Sequence, residues 1–235
     1  MEHEHLQHFL NETPLLNFHD ASLYTLNENH RWDRQSETER IKSIYEYVRD
    51  NITYQFPKKR IQTASEILGE GCGFSISKSI LLMALLRLVH IPCRFHGFLI
   101  KKEFLQGISD DKLYRKIPGL LVHGWVEALD NDRWIILEGA TLPEKFIQEQ
   151  LKKISVQNGE YNGLGLGVHK LENLLYKWTG KHTYIQRNAI LRDFSVFNNP
   201  DDFLALFGKE LKSLRKYYPS RRQIKKLNKE LIIDN

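Results

Sequence analysis

Between Gly71 and Glu138 the sequence sets out the parts of an acyl-transfer site. A glycine-bearing turn, Gly71-Cys72-Gly73-Phe74-Ser75, runs into an apolar stretch of helical character that must stop before Pro92. A hydroxyl or thiol at the start of such a helix lies beside free backbone N–H groups and the positive end of the helix dipole. Both stabilise negative charge there. The same chemistry needs an imidazole to take a proton and a carboxylate or amide to orient that imidazole. His123 and Glu138 have a spacing that allows this. Asp130-Asn131-Asp132-Arg133 reads as a hairpin turn. If Asn131-Asp132 is a two-residue turn, Asp130 pairs with Arg133 and Trp125 lies opposite Glu138. His123 shares a face with Trp125 because strand side chains alternate. Glu138 is then its diagonal neighbour, at roughly 7–8 Å between backbone positions, a gap that a glutamate can span.

The elements that must position these groups can be read in outline. Arg40 to Asn51 puts Ile41, Ile44, Tyr45 and Val48 on one helical face, with Ser36 or Thr38 as its cap. Thr63 to Leu68 starts a short helix that Gly69 and Gly71 end. Ser75 to His90 forms the next helix; Ile80 to Leu86 is apolar all round, so it is expected to be buried. Arg94 to Ile100, Leu121 to Leu129 and Trp134 to Gly139 read as strands. Leu142 to Ile154 reads as a helix with Pro143 near its first position. Asn158 to Val168 contains four glycines and reads as a loop; no Gly-Lys-Ser/Thr ends it, which argues against a phosphate-binding role. Leu171 to Trp178 is expected to be helical, and a last helix opens at Asn199-Pro200-Asp201-Asp202 and runs to about residue 217.

Several of these segments together resemble the transglutaminase-like superfamily. They are Thr63-Ala64-Ser65-Glu66-Ile67-Leu68, Gly71-x-Gly73-x-Ser75, Ala84-Leu85-Leu86-Arg87, Ile91-Pro92-Cys93-Arg94, His123-x-Trp125-x-Glu127, and Trp134 followed by Glu138. The resemblance spans about residues 40 to 150. It implies an α+β, papain-like fold in which a buried central helix packs on an antiparallel sheet, with extra helices at both ends. It also implies a Cys–His–Asp triad. Carried over by position, His123 is the base, Glu138 stands for the commoner Asp, and the nucleophile position holds Ser75. Gly73, Phe74 and Trp125 would line the cleft. A serine hydroxyl is a far weaker acid than a thiol and needs a base and an oxyanion hole already in place. Two outcomes are therefore open: acyl transfer or amide hydrolysis through Ser75–His123–Glu138, or an inactive relative whose cleft binds a peptide or protein. A third makes Cys72 the nucleophile, which requires the turn to shift by three residues. The backbone N–H of Ser75 would serve the oxyanion, with Tyr54 as a candidate second donor. Cys93 reads as a small buried residue, His96 as packing or a cleft wall, and Arg94 as half of an ion pair.

The 235 residues, 41% apolar, suit one domain with a core at about 40–150, a helical and loop extension at 151–208 and a basic tail at 209–235. Nine lysines and arginines and one acid between 209 and 229 give that segment +8, leaving −3 of the net +5 for the rest. The tail reads as a solvated helix face; attraction to nucleic acid or an anionic surface is the sharper alternative. With two cysteines and no zinc-type spacing, neither a disulfide, a metal nor an organic cofactor is implied, although His3, His5 and His8 lie close together. The polar N-terminus lacks the pattern of a secretory signal, and no apolar run is long enough to span a bilayer, so a cytoplasmic location is expected.

Overall fold

The computed structural model describes residues 4–55, 61–108, 111–115, 117–154 and 159–206. Local signals set the first helices. After a short 3₁₀ turn at Glu4–Phe9, α1 (Ala21–His30) is capped by Asp20, whose side chain accepts from Ser22 N. The next helix, α2 (Glu37–Asn51), starts with a capping box between Ser36 and Glu39 and buries Ile41, Ile44, Tyr45 and Val48. After β1 (Thr53–Tyr54), α3 (Ala64–Glu70) opens on a second capping box, Thr63 with Glu66, and closes on Gly71 in the left-handed region at φ 63°. β2 (Cys72–Gly73) runs parallel to β1 and leads directly into α4 (Ser75–Leu88).

α4 is the centre of the molecule. From Ile80 to Leu86 it is apolar on every side, and it is almost wholly buried, packed against α2, α3 and the sheet. It ends before Pro92, and β3 (Cys93–Lys101) follows. After α5 (Asp111–Tyr114) come β4 (Leu120–Asp130) and β5 (Arg133–Ile136). Asn131 and Asp132 both take positive φ, 46° and 61°, as a two-residue turn matched to strand twist requires, and Asp130 pairs with Arg133 as read from the sequence. The four-stranded antiparallel sheet has the order β5-β4-β3-β8. One face carries Cys93, Phe95, Val126 and Ala128 into the main core beneath α4; Phe98, Ile100 and Trp125 form a second core on the other face. The glycine at 124 is needed where α4 and Phe95 approach, since a Cβ there would lie 2.1 Å from the Phe95 ring.

Four expectations are corrected. β5 stops at Ile136 instead of running to Gly139, and the segment around His182 pairs with the side of it away from β4. Ile136 N donates to His182 Nδ1, Thr183 N donates to Ile136 O, and Gly139 N donates to Thr183 Oγ1. Glu138 therefore opens a 3₁₀ turn, Glu138–Thr141, ahead of α6 (Glu144–Lys153). The glycine-rich stretch at 158–168 holds a hairpin, β6 (Tyr161–Gly163) and β7 (Leu166–Val168), which turns through Leu164 and Gly165 at positive φ. Leu171 to Trp178 is helical only as a 3₁₀ turn at Leu171–Asn173; Leu175 then bridges to Tyr184. Finally, β8 (Ile190–Phe197) forms a sheet edge that the sequence did not announce, followed by α7 (Pro200–Leu206). The basic segment at 209–229, with the rest of the expected last helix, lies outside the described residues. Among the described residues no helix is long and apolar enough to cross a membrane.

Candidate active site

The start of α4 is fixed by its neighbours. Thr53 N donates to Gly71 O at 2.9 Å and Gln55 N to Gly73 O at 3.1 Å, which locks the turn in register with β1. Gly73 is pressed against the helix; a Cβ there would lie 2.6 Å from Ser77 Cβ. Phe74 is the extended N-cap, and its carbonyl accepts from Lys78 N at 2.9 Å. The N–H groups of Ser75, Ile76 and Ser77 thus have no partner inside the helix. Ser75 is the first helical residue and is buried. Cys72 sits in β2, half-buried and without a disulfide. To replace Ser75 it would have to break the two backbone bonds of the β1–β2 pairing. Tyr54 pairs with Gly73 in that ladder, and burial pushes its phenol up to about 12, so it stays a donor.

β4 brings up the imidazole. At its outer edge Val126 O accepts from Leu137 N at 2.8 Å. Two residues earlier, past the end of β5, Gly124 O points to the same side and accepts from Ser79 Oγ at 3.2 Å. Ser79 lies one turn along α4 from Ser75, on the same side of the helix. The first turns of α4 are therefore fastened to the part of β4 that carries His123. His123 pairs with Phe98 across the sheet and shares the face of Trp125. It is buried, its Nε2 has no hydrogen-bond partner among the described residues, and burial lowers its pKa to about 3. The ring is neutral at any ordinary pH.

The other predicted site residues lie as follows. Glu138 is buried, and its two oxygens accept from Ile185 N at 3.0 Å and Gln186 N at 2.7 Å. Burial pushes its carboxyl up to about 8, against the pull of those N–H groups and of Arg187. The structure does not bring Glu138 into hydrogen bonding with His123; leaving the ladder at Ile136 removed the diagonal relation on which that pairing depended. Removing the carboxylate would strand two buried N–H donors. Glu138→Ala should thus lower unfolding stability by about 2–3 kcal/mol, measured by chemical denaturation. Trp125 packs on Phe98, with ring centroids 4.1 Å apart, and its Nε1 donates to Glu127 Oε1 at 3.4 Å. Arg94 pairs with Glu127, and His96 bridges Glu127 and Asp193, each at 2.8 Å. Burial opposes ionisation of Glu127, but the His96 and Arg94 hydrogen bonds outweigh it and hold the carboxyl at about 2. His96 is thus engaged at both ring nitrogens in a strut that ties β8 to β3 and β4. Cys93 is buried, with Sγ 3.6 Å from Met83 O.

One group near the start of α4 was missed in the sequence. Lys78 is buried in the first turns of α4 and donates from Nζ to Arg49 O at 2.9 Å. Its three-residue spacing from Ser75 was the available signal. Among the described residues no cluster of three or more His, Cys, Asp or Glu could hold a metal ion; His3 lies outside them.

Comparison with known proteins follows the same core. Residues 25–139 match the family described as the Transglutaminase-like superfamily. No curated protein matches the chain. Among solved structures it is similar to "a Putative Cysteine Protease from Cytophaga hutchinsonii", at 14% identity and a TM-score of 0.46, over 84% of this chain and 48% of that one. The chain thus spans about half the length of that protein.

Proposed function

We propose that this chain, whose residues 25–139 match the Transglutaminase-like superfamily, carries out acyl transfer or amide hydrolysis on a peptide or amide group, with Ser75 as the nucleophile. The observation that carries this reading is the placement of Ser75. It opens a buried helix whose next turn is fastened by Ser79 to the strand bearing His123. The free N–H groups at that helix start support the oxyanion, and His123 offers an uncharged imidazole for hydrogen bonding to the substrate or the leaving group. A Ser75–His123–Glu138 relay would require Glu138, engaged by Ile185 N and Gln186 N, to ionise and to approach His123 as well.

That engagement of Glu138 favours a second reading, in which the cleft holds a peptide without turnover. A serine-reactive fluorophosphonate, applied together with iodoacetamide and followed by mapping of adducts by mass spectrometry, separates the two. Acyl chemistry predicts a phosphonyl adduct on Ser75 that Ser75→Ala abolishes. An unmodified Ser75 in folded protein favours binding alone, and selective alkylation of Cys72 that depends on His123 favours the shifted turn.

A further inference from the structure

We propose that Lys78 is the proton acceptor that activates Ser75. The inference rests on Ser75 being the nucleophile. Residues three apart on a helix share a face, with Cβ atoms about 5–6 Å apart, a gap well within the reach of a four-carbon stem. Serine–lysine pairs perform acyl transfer on unrelated folds, so the combination is chemically sufficient.

The surroundings of Lys78 fit a neutral amine. An ammonium carries three donors, yet among the described residues Nζ has a single acceptor, Arg49 O, and no carboxylate within ion-pair distance. An uncharged amine that donates one N–H to that carbonyl keeps its lone pair free. Burial, the largest influence, brings the group down to about 7; Asp50, from the end of α2, pulls it upward and Arg49 pushes it further down. Asp50 is itself occupied by the Arg49 guanidinium and by Glu144 N. His123, lowered to about 3 by burial and with Nε2 unpaired among the described residues, is a much weaker base.

The steps balance. As Ser75 Oγ bonds to the acyl carbon, its proton moves to Lys78 Nζ. When the tetrahedral intermediate collapses, the amine leaving group takes that proton and departs. Water, or an acceptor amine, then attacks the acyl-serine and gives a proton to Nζ, which passes it back to Ser75 Oγ.

The rival role for Lys78 is a strut that caps the C-terminal carbonyls of α2. Three readouts on the full chain decide between them. The rate of Ser75 phosphonylation in the unsubstituted protein should rise with pH through a midpoint near 7, as the amine loses its proton. Lys78→Met should slow it by about 10²-fold or more, and Lys78→Arg should not rescue it, because a guanidinium stays protonated. The sign of the stability change is equally specific. A lysine whose folded pKa lies below its ordinary 10.5 binds fewer protons folded than unfolded between about 7 and 10.5, so it destabilises the fold at neutral pH. Lys78→Met should therefore unfold at the same or a higher temperature at pH 7, whereas loss of a strut would lower it. In the unsubstituted protein, one lysine ¹⁵Nζ resonance should titrate near 7 and shift when Ser75 is phosphonylated. If Lys78→Met is labelled at the unsubstituted rate, or every lysine titrates at its ordinary value, the lysine is no base while Ser75 remains the nucleophile. If Ser75 is never labelled, both readings fall.

Discussion

Ser75→Cys should acquire a fast-reacting thiol. A free cysteine ionises near 8.5; at a helix N-terminus, whose first N–H groups have no partner inside the helix, that value falls by about one unit or more. The introduced thiol would also be able to pass its proton to Lys78 and stand as a thiolate beside an ammonium. At pH 7 iodoacetamide should alkylate it about tenfold faster, or more, than Cys72 in the same molecule. Cys93 should stay unmodified, because it is buried and burial pushes its thiol upward. Cys72 serves as the internal reference, being half-buried and held in β2 outside the helix. Adducts counted by peptide mass spectrometry over time give both rates. If the folded variant gains no new alkylation site, the start of α4 is not the reactive position this fold makes it out to be.

Arg87→Ala should produce the largest loss of stability. This guanidinium lies on the last turns of α4, buried, and donates to three backbone carbonyls from separate parts of the chain: Asn11 in the N-terminal segment, Cys93 at the start of β3, and Asn198 just before α7. Truncation strands three acceptors and leaves a cavity, at a cost of about 3–5 kcal/mol. For a chain of this size that lowers the thermal midpoint by about 10 °C, readable by circular dichroism. Arg87→Lys should recover little of it, since an ammonium is a point donor and cannot reach three carbonyls as a planar fork does. Phosphonylation of Ser75 well below the midpoint should change far less than the midpoint itself, because Arg87 acts at the opposite end of α4.

What the sequence disclosed about the fold follows the range of the forces involved. Ser36 with Glu39 and Thr63 with Glu66 are capping pairs complete within four residues, so the helix starts were legible. The unbroken apolar run of α4 told of its burial, and Asn131-Asp132 told of the hairpin and its register. Legibility ended where a distant segment competed for backbone groups. Nothing near Ile136 in sequence indicates that its N–H and C=O will pair with His182 and Thr183, or that Glu138 will accept from Ile185 N and Gln186 N. β8 was hidden for a related reason: it is an edge strand with Arg192 and Asp193 exposed, so it lacks regular alternation. Lys78 was legible in principle, as the lone cation between Ser75 and Arg87, but a family pattern built on Cys–His–Asp directs attention elsewhere.

The proposed chemistry turns on Ser75 being an activated hydroxyl at the start of α4. A crystal structure of the fluorophosphonate-treated protein measures that directly. The account predicts phosphorus bonded to Ser75 Oγ, a phosphoryl oxygen within hydrogen-bond distance of the N–H groups opening α4, and the His123 ring beside the adduct. An unmodified Ser75, or an adduct with the imidazole out of reach across the sheet, would contradict it.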